Sequence, residues 1–528
     1  MPEKLLNKQA RRIRGQFFTP EEVALFAWEM LAQIIPPGEF SQMQVIDPAA
    51  GEGIFLTSGV DLGLISTEQV TGVEIDSHLC PPPELASRWV FGDGLLNVPG
   101  LRPETFNLVI GNPPFGRGGK EGFCRALSRG DRESVGWLLG DGFVPKKELE
   151  YFYRLPVEAL FLRRFLALCR PGGYGAVILP DGYLANHRLQ REREVFCQEA
   201  GIIGVIGLPA GTFRSGGTPA RTALVFFRRK EKQNEEKGET FFSSVEFREA
   251  EDQTGYFPTV LRVFTGREKN LPPGVTWVKR ENLSRKSWHP NFWDPALTQA
   301  LDEITFPLSP LADYIEKISY GPILPGKKPL PQKNGVPVFG QKDLFPTGIN
   351  PYPALRVAPE GQFDPERSRV RRGDLLFSRS GEGSLLRFRS GVYLGEEPAN
   401  VSCFVDRIRL RNINSLFVWL FLMSNFGRVQ ILRLKNGVGT PNINFAEIKS
   451  LCIPLVSERI QNAVAGIYLR EIYPLHCRLA GFIDSSPQNV LLQRKMSRLL
   501  SCLEAFLVKE KEEKICALWN AALWNTVE

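Results

Sequence analysis

The order of local patterns in the first half of the chain constrains its fold most. Runs of β-branched and aromatic residues alternate with helical runs, and glycine-rich or acidic residues follow several of the β-type runs. The pattern predicts strands at residues 44–46, 70–75, 88–91, 106–110, 174–179, 204–208 and 222–227, and a helix at 156–169. Because a helix between two strands carries the chain back over the sheet, this alternation predicts a parallel α/β sheet.

Acidic residues follow the first three predicted strands. Asp47 opens the turn DPAAGEG, whose glycines let the backbone approach a ligand closely. Glu74 ends the second strand, where an acidic side chain is placed to hold ribose hydroxyls. Asp93, in GDG after the third strand, is placed to accept a hydrogen bond from an adenine amino group. No phosphate-binding lysine accompanies the turn, which excludes a P-loop, and the series favours a nucleoside ligand over an isolated tight turn.

The motif NPPF follows the strand at residues 106–110 directly. The two prolines stiffen the backbone and remove two N–H donors, so that the preceding carbonyls stay available as acceptors. An amide side chain (Asn112), a rigid carbonyl and an aromatic face (Phe115) then meet beside the proposed ligand cleft. Acceptors on both hydrogens of an exocyclic amine make its nitrogen more nucleophilic and fix its line of attack. The motif therefore predicts methylation of a nucleobase amine.

Taken in order, GQFFTP, DPAAGEG, GVEID, GDG and NPPF resemble the motifs of the gamma-class amino methyltransferases of bacterial restriction–modification systems. The resemblance covers about the first 240 residues, and the set is more specific than any one motif. It implies a Rossmann-like domain that uses S-adenosylmethionine. It also implies that the cofactor pocket is lined by Phe18, Thr19, Asp47, Ala49, Gly51, Gly53, Glu74, Ile75, Asp93 and Gly94.

The same resemblance implies how the target base is held. Asn112, Pro113 and Pro114 would present the acceptors, and Phe115 would stack on the base. Phe213, in a Gly-Thr-Phe segment, matches the aromatic residue that contacts the other face of a flipped adenine; simple core packing of Phe213 is the alternative. The Asn-Pro-Pro form favours adenine-N6 over cytosine-N4 as the target, and cytosine-N4 methylation stays open as the nearest alternative.

The C-terminal half resembles the target-recognition domains of type I restriction specificity subunits, through LADY, VFGQKDL, RGDLLFSR and NGVGTPNI in that order. Arginines interleaved with small residues fill positions 367–389, and such clusters suit phosphate and guanine contacts; a solvated basic loop is the alternative. We assign DNA contacts there to Arg371, Arg372, Arg379 and Arg387. Only one such recognition domain is present, and an amphipathic helix is predicted at residues 493–517.

Composition adds limits to this interpretation. The formal net charge of +7 fits a nucleic-acid partner. The nine cysteines form no CxxC pair and only four histidines occur, so no structural zinc or other metal site is predicted. Scattered cysteines, the polar first residues and interrupted apolar stretches predict a cytoplasmic protein without a membrane partner.

These observations predict a domain order and a function. We expect a catalytic domain at residues 1–245, a connecting region at 246–305, an α+β target-recognition domain at 306–480 and a C-terminal helical segment at 481–528. The chain would methylate N6 of a flipped adenine in duplex DNA, with a separately encoded restriction nuclease or specificity subunit as a further candidate partner. The motifs disfavour methylation of RNA or of a protein glutamine, a purely non-catalytic DNA-specificity role, and a fused nuclease.

Overall fold

A computed structural model of the chain describes residues 18–97, 101–116, 118–140, 143–209, 212–213, 221–232, 238–244, 255–266, 271, 274–283, 286–381, 383–435, 441–479 and 489–509. The chain divides into two compact units, residues 1–295 and residues 296–528. Across the described residues no single helix is both long and apolar enough to cross a membrane, although the bent pair Ser415–Met423 and Asn425–Leu434 would pass by length and composition.

The first unit is built on a nine-stranded sheet. Its strands are β1 (Val45–Asp47), β2 (Val70–Glu74), β3 (Trp89–Phe91), β4 (Phe106–Gly111), β5 (Cys169–Pro180), β6 (Ala200–Gly207), β7 (Thr222–Arg229), β8 (Glu239–Ser243) and β9 (Val275–Lys279). They lie side by side in the order β3-β2-β1-β4-β5-β7-β6-β8-β9. Strands therefore formed at every run where the sequence predicts one, with ends that differ by a few residues.

The prediction of a parallel sheet is wrong for strands β7 and β9. Strands β3, β2, β1, β4 and β5 are parallel, but β7 runs antiparallel to both β5 and β6, and β9 runs antiparallel to β8. When a helix joins two neighbouring strands, the chain reverses direction twice, so the two strands are parallel. The alternation of strands and helices therefore predicts strand direction only at such connections. The sequence between β6 and β7 carries no helical run, and the chain returns in the opposite direction.

Helices cover both faces of the sheet. They are α1 (Glu21–Ile34), α2 (Ile54–Asp61), α3 (Glu121–Arg129), α4 (Arg132–Leu139), α5 (Lys146–Arg154), α6 (Val157–Leu168), α7 (Asp181–Ala185), α8 (Gln190–Glu199), α9 (Tyr256–Phe264) and α10 (Pro290–Trp293). Alternate strand residues separate into two buried clusters: Ile46 and Val109 pack with α3–α6 and α8, whereas Val45 and Leu108 pack with α1, α2 and α9. This two-residue alternation is expected of strands buried on both faces.

The second unit combines small sheets with helices. A four-stranded antiparallel sheet has the order β11-β19-β16-β17, and a three-stranded sheet has the order β15-β12-β18. The strands are β10 (Leu308–Pro310), β11 (Ile315–Tyr320), β12 (Val336–Phe339), β13 (Leu344–Phe345), β14 (Gly348–Ile349), β15 (Arg356–Val357), β16 (Leu375–Ser378), β17 (Ser390–Val392), β18 (Asn400–Val401), β19 (Val405–Leu410) and β20 (Cys452–Pro454).

Helix α11 (Pro295–Thr298) falls at the division between the units along the chain. The others are α12 (Ser415–Met423), α13 (Asn425–Leu434), α14 (Phe445–Ser450), α15 (Glu458–Ile467), α16 (Tyr473–Leu479) and α17 (Asn489–Lys509), with a π-helical turn at Tyr468–Ile472. Helix α12 is buried all round and forms the centre of the main apolar cluster of this unit. Helix α17 begins four residues before the predicted start at residue 493, and residues 510–517 of that prediction lie outside the described part of the chain.

Candidate active site

The candidate site lies where the parallel strands of the first unit end. After β1 the chain turns outward to β2 and β3, and it then crosses to the other side of β1 to form β4. Loops that leave neighbouring strands in opposite directions open a crevice at the carboxyl edge of the sheet. A cleft with an open volume of about 790 Å³ lies there. Its lining residues are Phe18, Pro48, Ala49, Gly51, Glu74, Ile75, Leu79, Asp93, Gly94, Asn112, Pro114, Gly119, Glu121 and Phe161.

The turn after β1 is tied to the end of β2 and to the last residue of β1. The Gly51 N–H donates to Glu74 Oε2 at 2.8 Å, and the Ala49 N–H donates to Asp47 Oδ1 at 2.9 Å. The Asp76 N–H donates to the other oxygen of Glu74, at 2.8 Å. The side chain of Glu74 therefore stabilises the turn and also lines the cleft. Asp47 is only 1% exposed and stabilises the turn through its hydrogen bond to Ala49.

Two glycines allow this turn to pack closely against the loops on either side. A Cβ on Gly94 would lie 1.9 Å from the Pro48 carbonyl oxygen, and one on Gly111 would lie 2.4 Å from Asp47 Oδ1. Any larger residue would separate the loops, because real Cβ atoms do not approach so closely. The glycines of GDG and of GNPPF thus bring the loops after β3 and β4 against the turn after β1.

Burial dominates the electrostatics of the three acidic strand ends. It raises the pKa of Asp47 to about 8, against the lowering effect of the Ala49 hydrogen bond and with a smaller raising effect of the nearby Glu74. Burial also raises the pKa of Glu74 and that of Asp93, although backbone hydrogen bonds oppose both shifts. Carboxyl groups held by backbone N–H donors in a partly closed cleft are suited to accept hydrogen bonds from a polar neutral ligand.

Asn112 is held by a residue from the N-terminal motif. Its Nδ2 donates to Thr19 Oγ1 at 3.1 Å, across 93 positions of sequence. The two heteroatoms of an amide diverge from one carbon, so that Oδ1 is directed away from Thr19. The structure therefore gives Thr19 a contact with the NPPF motif, whereas the resemblance assigned it to the cofactor pocket.

The predicted residues fall into three groups in the structure. Nine line the cleft: Phe18, Ala49, Gly51, Glu74, Ile75, Asp93, Gly94, Asn112 and Pro114. Four predicted residues are not among the lining residues: Thr19, Asp47, Gly53 and Pro113. Thr19 and Asp47 form hydrogen bonds with the lining residues Asn112 and Ala49, and Gly53 directly precedes α2. Phe115 and Phe213, 8% and 1% exposed, lie in one apolar cluster, and their stacking on a base stays a prediction.

Reading the sequence missed three residues of α6. Glu158 accepts a hydrogen bond from the Gly116 N–H, Phe161 lines the cleft, and Arg164 donates to the carbonyls of Gly94 and Leu96. The available signal was the presence of charged residues within the apolar helical run VEALFLRRFLAL, because buried charges require specific partners.

The four arginines predicted to contact DNA fall at two places around strand β16. Arg371 and Arg372 precede β16, whereas Arg379 follows it, and Arg387 precedes β17, which runs antiparallel to β16. The predicted DNA contacts are thus separated to the two ends of one strand. Arg372 pairs with exposed Glu396, and Arg379 lies 3.8 Å from Asp406 with its guanidinium 4.7 Å from the Tyr320 ring centre. For Arg371 and Arg387, both exposed, no ion pair occurs within the described residues. The NGVGT part of the last recognition motif lies outside the described residues.

Part of the chain is similar to known proteins. Residues 86–260 match the N-6 DNA methylase family. The Defense against restriction protein B of Escherichia phage P1 is 23% identical over 224 residues, 42% of this chain and 9% of that protein. The Type II methyltransferase M.CvrRI of Paramecium bursaria Chlorella virus XZ-6E is 29% identical over 114 residues, 21% of this chain and 27% of that protein. The matches thus span only a small part of either relative.

Among solved structures, that of the type IIL restriction–modification enzyme MmeI in complex with DNA is similar, with a TM-score of 0.52 and 11% identity over 94% of this chain and 74% of that one. At this identity the likeness shows the fold alone, and the predicted α/β fold is confirmed. The match to the N-6 DNA methylase family lies within the first unit, and it confirms the resemblance to the gamma-class methyltransferases of restriction–modification systems.

Proposed function

We propose that the chain is a DNA adenine-N6 methyltransferase that uses S-adenosylmethionine. The observation that carries this proposal is the hydrogen bond from Asn112 to Thr19 at the rim of a cleft lined by Glu74 and Asp93. This hydrogen bond holds Asn112, the proposed acceptor for the amino group of the target base, beside a cleft whose acidic side chains suit a nucleoside. The match to the N-6 DNA methylase family supports the adenine target.

The residues of the cleft fit S-adenosylmethionine. Glu74 would accept from the ribose hydroxyls and Asp93 from the adenine amino group, while Phe18, Ile75 and Phe161 supply apolar walls. The buried oxygen acceptors match the donor groups of a nucleoside. When bound, S-adenosylmethionine supplies a methyl group activated by its sulfonium.

The NPPF motif would prepare the target amine. In this proposal the adenine leaves the duplex stack, which costs a few kcal/mol, and its amino group donates to Asn112 Oδ1 and to the Pro113 carbonyl. Thr19 fixes the Asn112 amide, so that the acceptor is oriented before the base arrives. Preorganised acceptors lower the barrier because no reorganisation is needed during transfer.

The second unit would supply DNA recognition. Its resemblance to type I target-recognition domains and its exposed arginines, Arg371 and Arg387, support this role. We place the chain in a restriction–modification or related defence system, acting on double-stranded DNA in the cytoplasm, with a separately encoded nuclease or specificity subunit as a partner. MmeI, a restriction–modification enzyme of similar fold, was solved with DNA.

Single-molecule sequencing of DNA from cells that express the chain tests the chemistry. We expect N6-methyladenine in one sequence context, and none in cells that express Asn112→Ala. Asn282→Ala, which changes an exposed asparagine after β9, is the matched control and should leave the modification unchanged. N4-methylcytosine, or unmodified DNA with the unaltered chain, would reject adenine methylation.

A domain exchange tests where sequence recognition resides. Residues 306–480 would be replaced by the corresponding domain of a relative with another recognition sequence. We expect the hybrid to methylate the donor's sequence with unchanged affinity for S-adenosylmethionine. A hybrid that kept the original sequence would assign recognition to the first unit.

A further inference from the structure

Helix α6 carries two buried charged residues, one in each half of the helix. Glu158 is 5% exposed and Arg164 is fully buried, and the cleft residue Phe161 lies midway between them in sequence. Residues three apart are neighbours on a helix surface, so that the three form one stripe. Burying a charge is unfavourable without specific partners, and the partners of these two charges belong to different loops of the cleft.

Glu158 holds the loop that follows NPPF. Its Oε2 accepts from the Gly116 N–H at 2.8 Å, and the Val157 N–H donates to the Gly116 carbonyl at 2.9 Å. Gly116 directly follows Phe115, so both of its backbone polar groups are fixed by the first turn of α6. Lys120 extends this attachment, since its Nζ donates to the carbonyls of Tyr153, in the last turn of α5, and of Leu155, just after it. The base-binding motif is therefore anchored at its C-terminal end by Glu158 and beside Asn112 by Thr19.

Arg164 holds the loop that contains Asp93. Its Nε donates to the Gly94 carbonyl at 3.2 Å and its Nη2 to the Leu96 carbonyl at 3.0 Å. The guanidinium lies 5.0 Å from the ring centre of Trp137, whose Nε1 donates to the Leu95 carbonyl at 2.9 Å. Three successive carbonyls after Asp93 are thus bound by two side chains. This fixes the loop whose carboxylate faces the proposed adenine subsite.

We infer that α6 positions the two halves of the cleft separately, with Glu158 as the positioning residue for the target-base loop and Arg164 as the positioning residue for the cofactor loop. The inference rests on the proposed function and deepens it. Loss of Glu158 should impair methyl transfer without changing cofactor affinity, because Gly116 lies on the base side of the site. Loss of Arg164 should do the reverse.

The test measures kcat with duplex DNA and, separately, the Kd for S-adenosylmethionine by calorimetry without DNA. For Glu158→Ala we expect kcat to fall by roughly tenfold to a hundredfold, since small misplacements of reacting groups have effects of this order. Its Kd should stay within about twofold of the unaltered protein. Glu158→Gln keeps an oxygen acceptor for the Gly116 N–H and should restore most of kcat.

For Arg164→Met we expect the Kd to rise about tenfold, as for loss of a charge-assisted hydrogen bond. Its kcat at saturating S-adenosylmethionine should stay within about threefold. Arg163→Gln is the matched control on the same helix: Arg163 pairs with Glu192, with Nη2–Oε1 at 2.9 Å, and contacts neither loop through any hydrogen bond within the described residues. It should leave both parameters near their original values.

The opposite effects distinguish positioning from general damage to the helix. If Glu158→Ala and Arg164→Met change kcat and Kd in parallel, or if Arg163→Gln reproduces either effect, the inference is wrong. If Glu158→Ala does not fold, Glu158→Asp takes its place in the test, because it withdraws the carboxylate by one methylene while keeping its charge. Glu158→Asp must then also lower kcat without changing the Kd. Absence of methylation by the unaltered protein would instead reject the proposed function, and the Kd of Arg164→Met would still test the cofactor half.

Discussion

Buried carboxylates occur in both units, but they are held in different ways. In the cleft of the first unit, Asp47 and Glu74 accept from backbone N–H groups of neighbouring turns. In the second unit, three buried aspartates each lie beside an arginine: Asp364 with Arg369 at 3.0 Å, Asp374 with Arg409 at 2.7 Å, and Asp406 with Arg379 at 3.8 Å. Buried carboxylates therefore stabilise the turns beside a cleft in the first unit, whereas in the second unit they form ion pairs with arginines.

The pKa directions reflect this difference. Burial raises the pKa of Asp47 and of Glu74, because backbone donors compensate only part of the lost hydration. For Asp364 burial acts in the same direction, but hydrogen bonds from Arg369 and Asn400 hold its pKa below the usual value. For Asp406, burial raises the pKa to about 7, although the positive charge of Arg379 acts to lower it. A buried carboxyl group without a closely paired arginine is therefore better suited to bind a ligand or to exchange a proton than one in a close ion pair.

The largest effect on stability is expected at Asp374. Arg409 donates to both of its oxygens, at 2.8 and 2.7 Å, and the Arg371 N–H donates to Oδ2 at 2.9 Å. Asp374→Ala leaves a partly buried arginine unpaired and should destabilise the second unit by about 3–5 kcal/mol. Hydrogen exchange of β16 and β19 measures this, and titration with S-adenosylmethionine should show an unaltered first unit. A loss below about 1 kcal/mol would mean that the ion pair does not stabilise the second unit.

Asn112→Ala should give the largest effect on activity. Removing one preorganised acceptor from a transition state typically lowers kcat by about 10²–10³-fold. Cofactor affinity should be unchanged, because Asn112 belongs to the base side of the cleft. Transfer of a labelled methyl group and a cofactor titration measure the two quantities, and near-normal turnover would contradict the acceptor role. Thr19→Val should give a smaller loss of kcat if Thr19 only orients the amide.

Glu74→Ala should weaken S-adenosylmethionine binding by about 1.5–3 kcal/mol, as expected for a hydrogen bond to a charged group. The structure separates two reasons for this loss, since Glu74 also braces Gly51 and Asp76. Glu74→Gln keeps one acceptor oxygen and should retain part of the affinity. Calorimetric titration measures all three proteins; an unchanged Kd for the alanine variant would show that Glu74 serves the turn alone.

The carboxyl groups of the first unit should make its stability depend on pH. Since burial raises the pKa of Asp47 to about 8, its stabilising contribution is complete below the unfolded value near 4 and is lost as the pH rises through about 8. Each group of this kind contributes a slope of up to about 1.4 kcal/mol per pH unit. Asp47→Asn should flatten the decline of melting temperature between about pH 5 and pH 8. An unaltered profile would show that Asp47 is ionised throughout.

The smallest effect on stability is expected at the surface of the second unit. Arg372 pairs with Glu396 where both side chains are more than half exposed, and such pairs contribute about 0–1 kcal/mol. If Arg371 and Arg372 contact phosphates, alanine at each should weaken DNA binding and reduce the slope of log K against log salt by about 0.9. If one reads guanine, discrimination at one base pair should fall by about 1–3 kcal/mol instead. DNA binding measured over a salt series, with equal folding verified, distinguishes these outcomes from no DNA contact.

The sequence alone identified seven of the nine described strands of the first unit, the acidic strand ends and the NPPF motif, whereas β8 and β9 were not predicted. The identified features are local properties: β-type runs, glycines in turns and rigid prolines act through neighbouring residues, and their order along the chain carried the family resemblance. The direction of β7 was predicted wrongly, because its pairing between β5 and β6 depends on contacts far apart in sequence.

Only the tertiary structure brought Thr19 to Asn112, Glu158 to Gly116 and Arg164 to Gly94, since each contact joins residues that are 42 to 93 positions apart. It also placed the arginines predicted to contact DNA at the two ends of β16, although the sequence suggested one cluster. Local sequence specifies which groups are available and how their backbone turns. Which of them meet is decided by the packing of helices on the sheet, because burying apolar faces fixes the loops relative to one another.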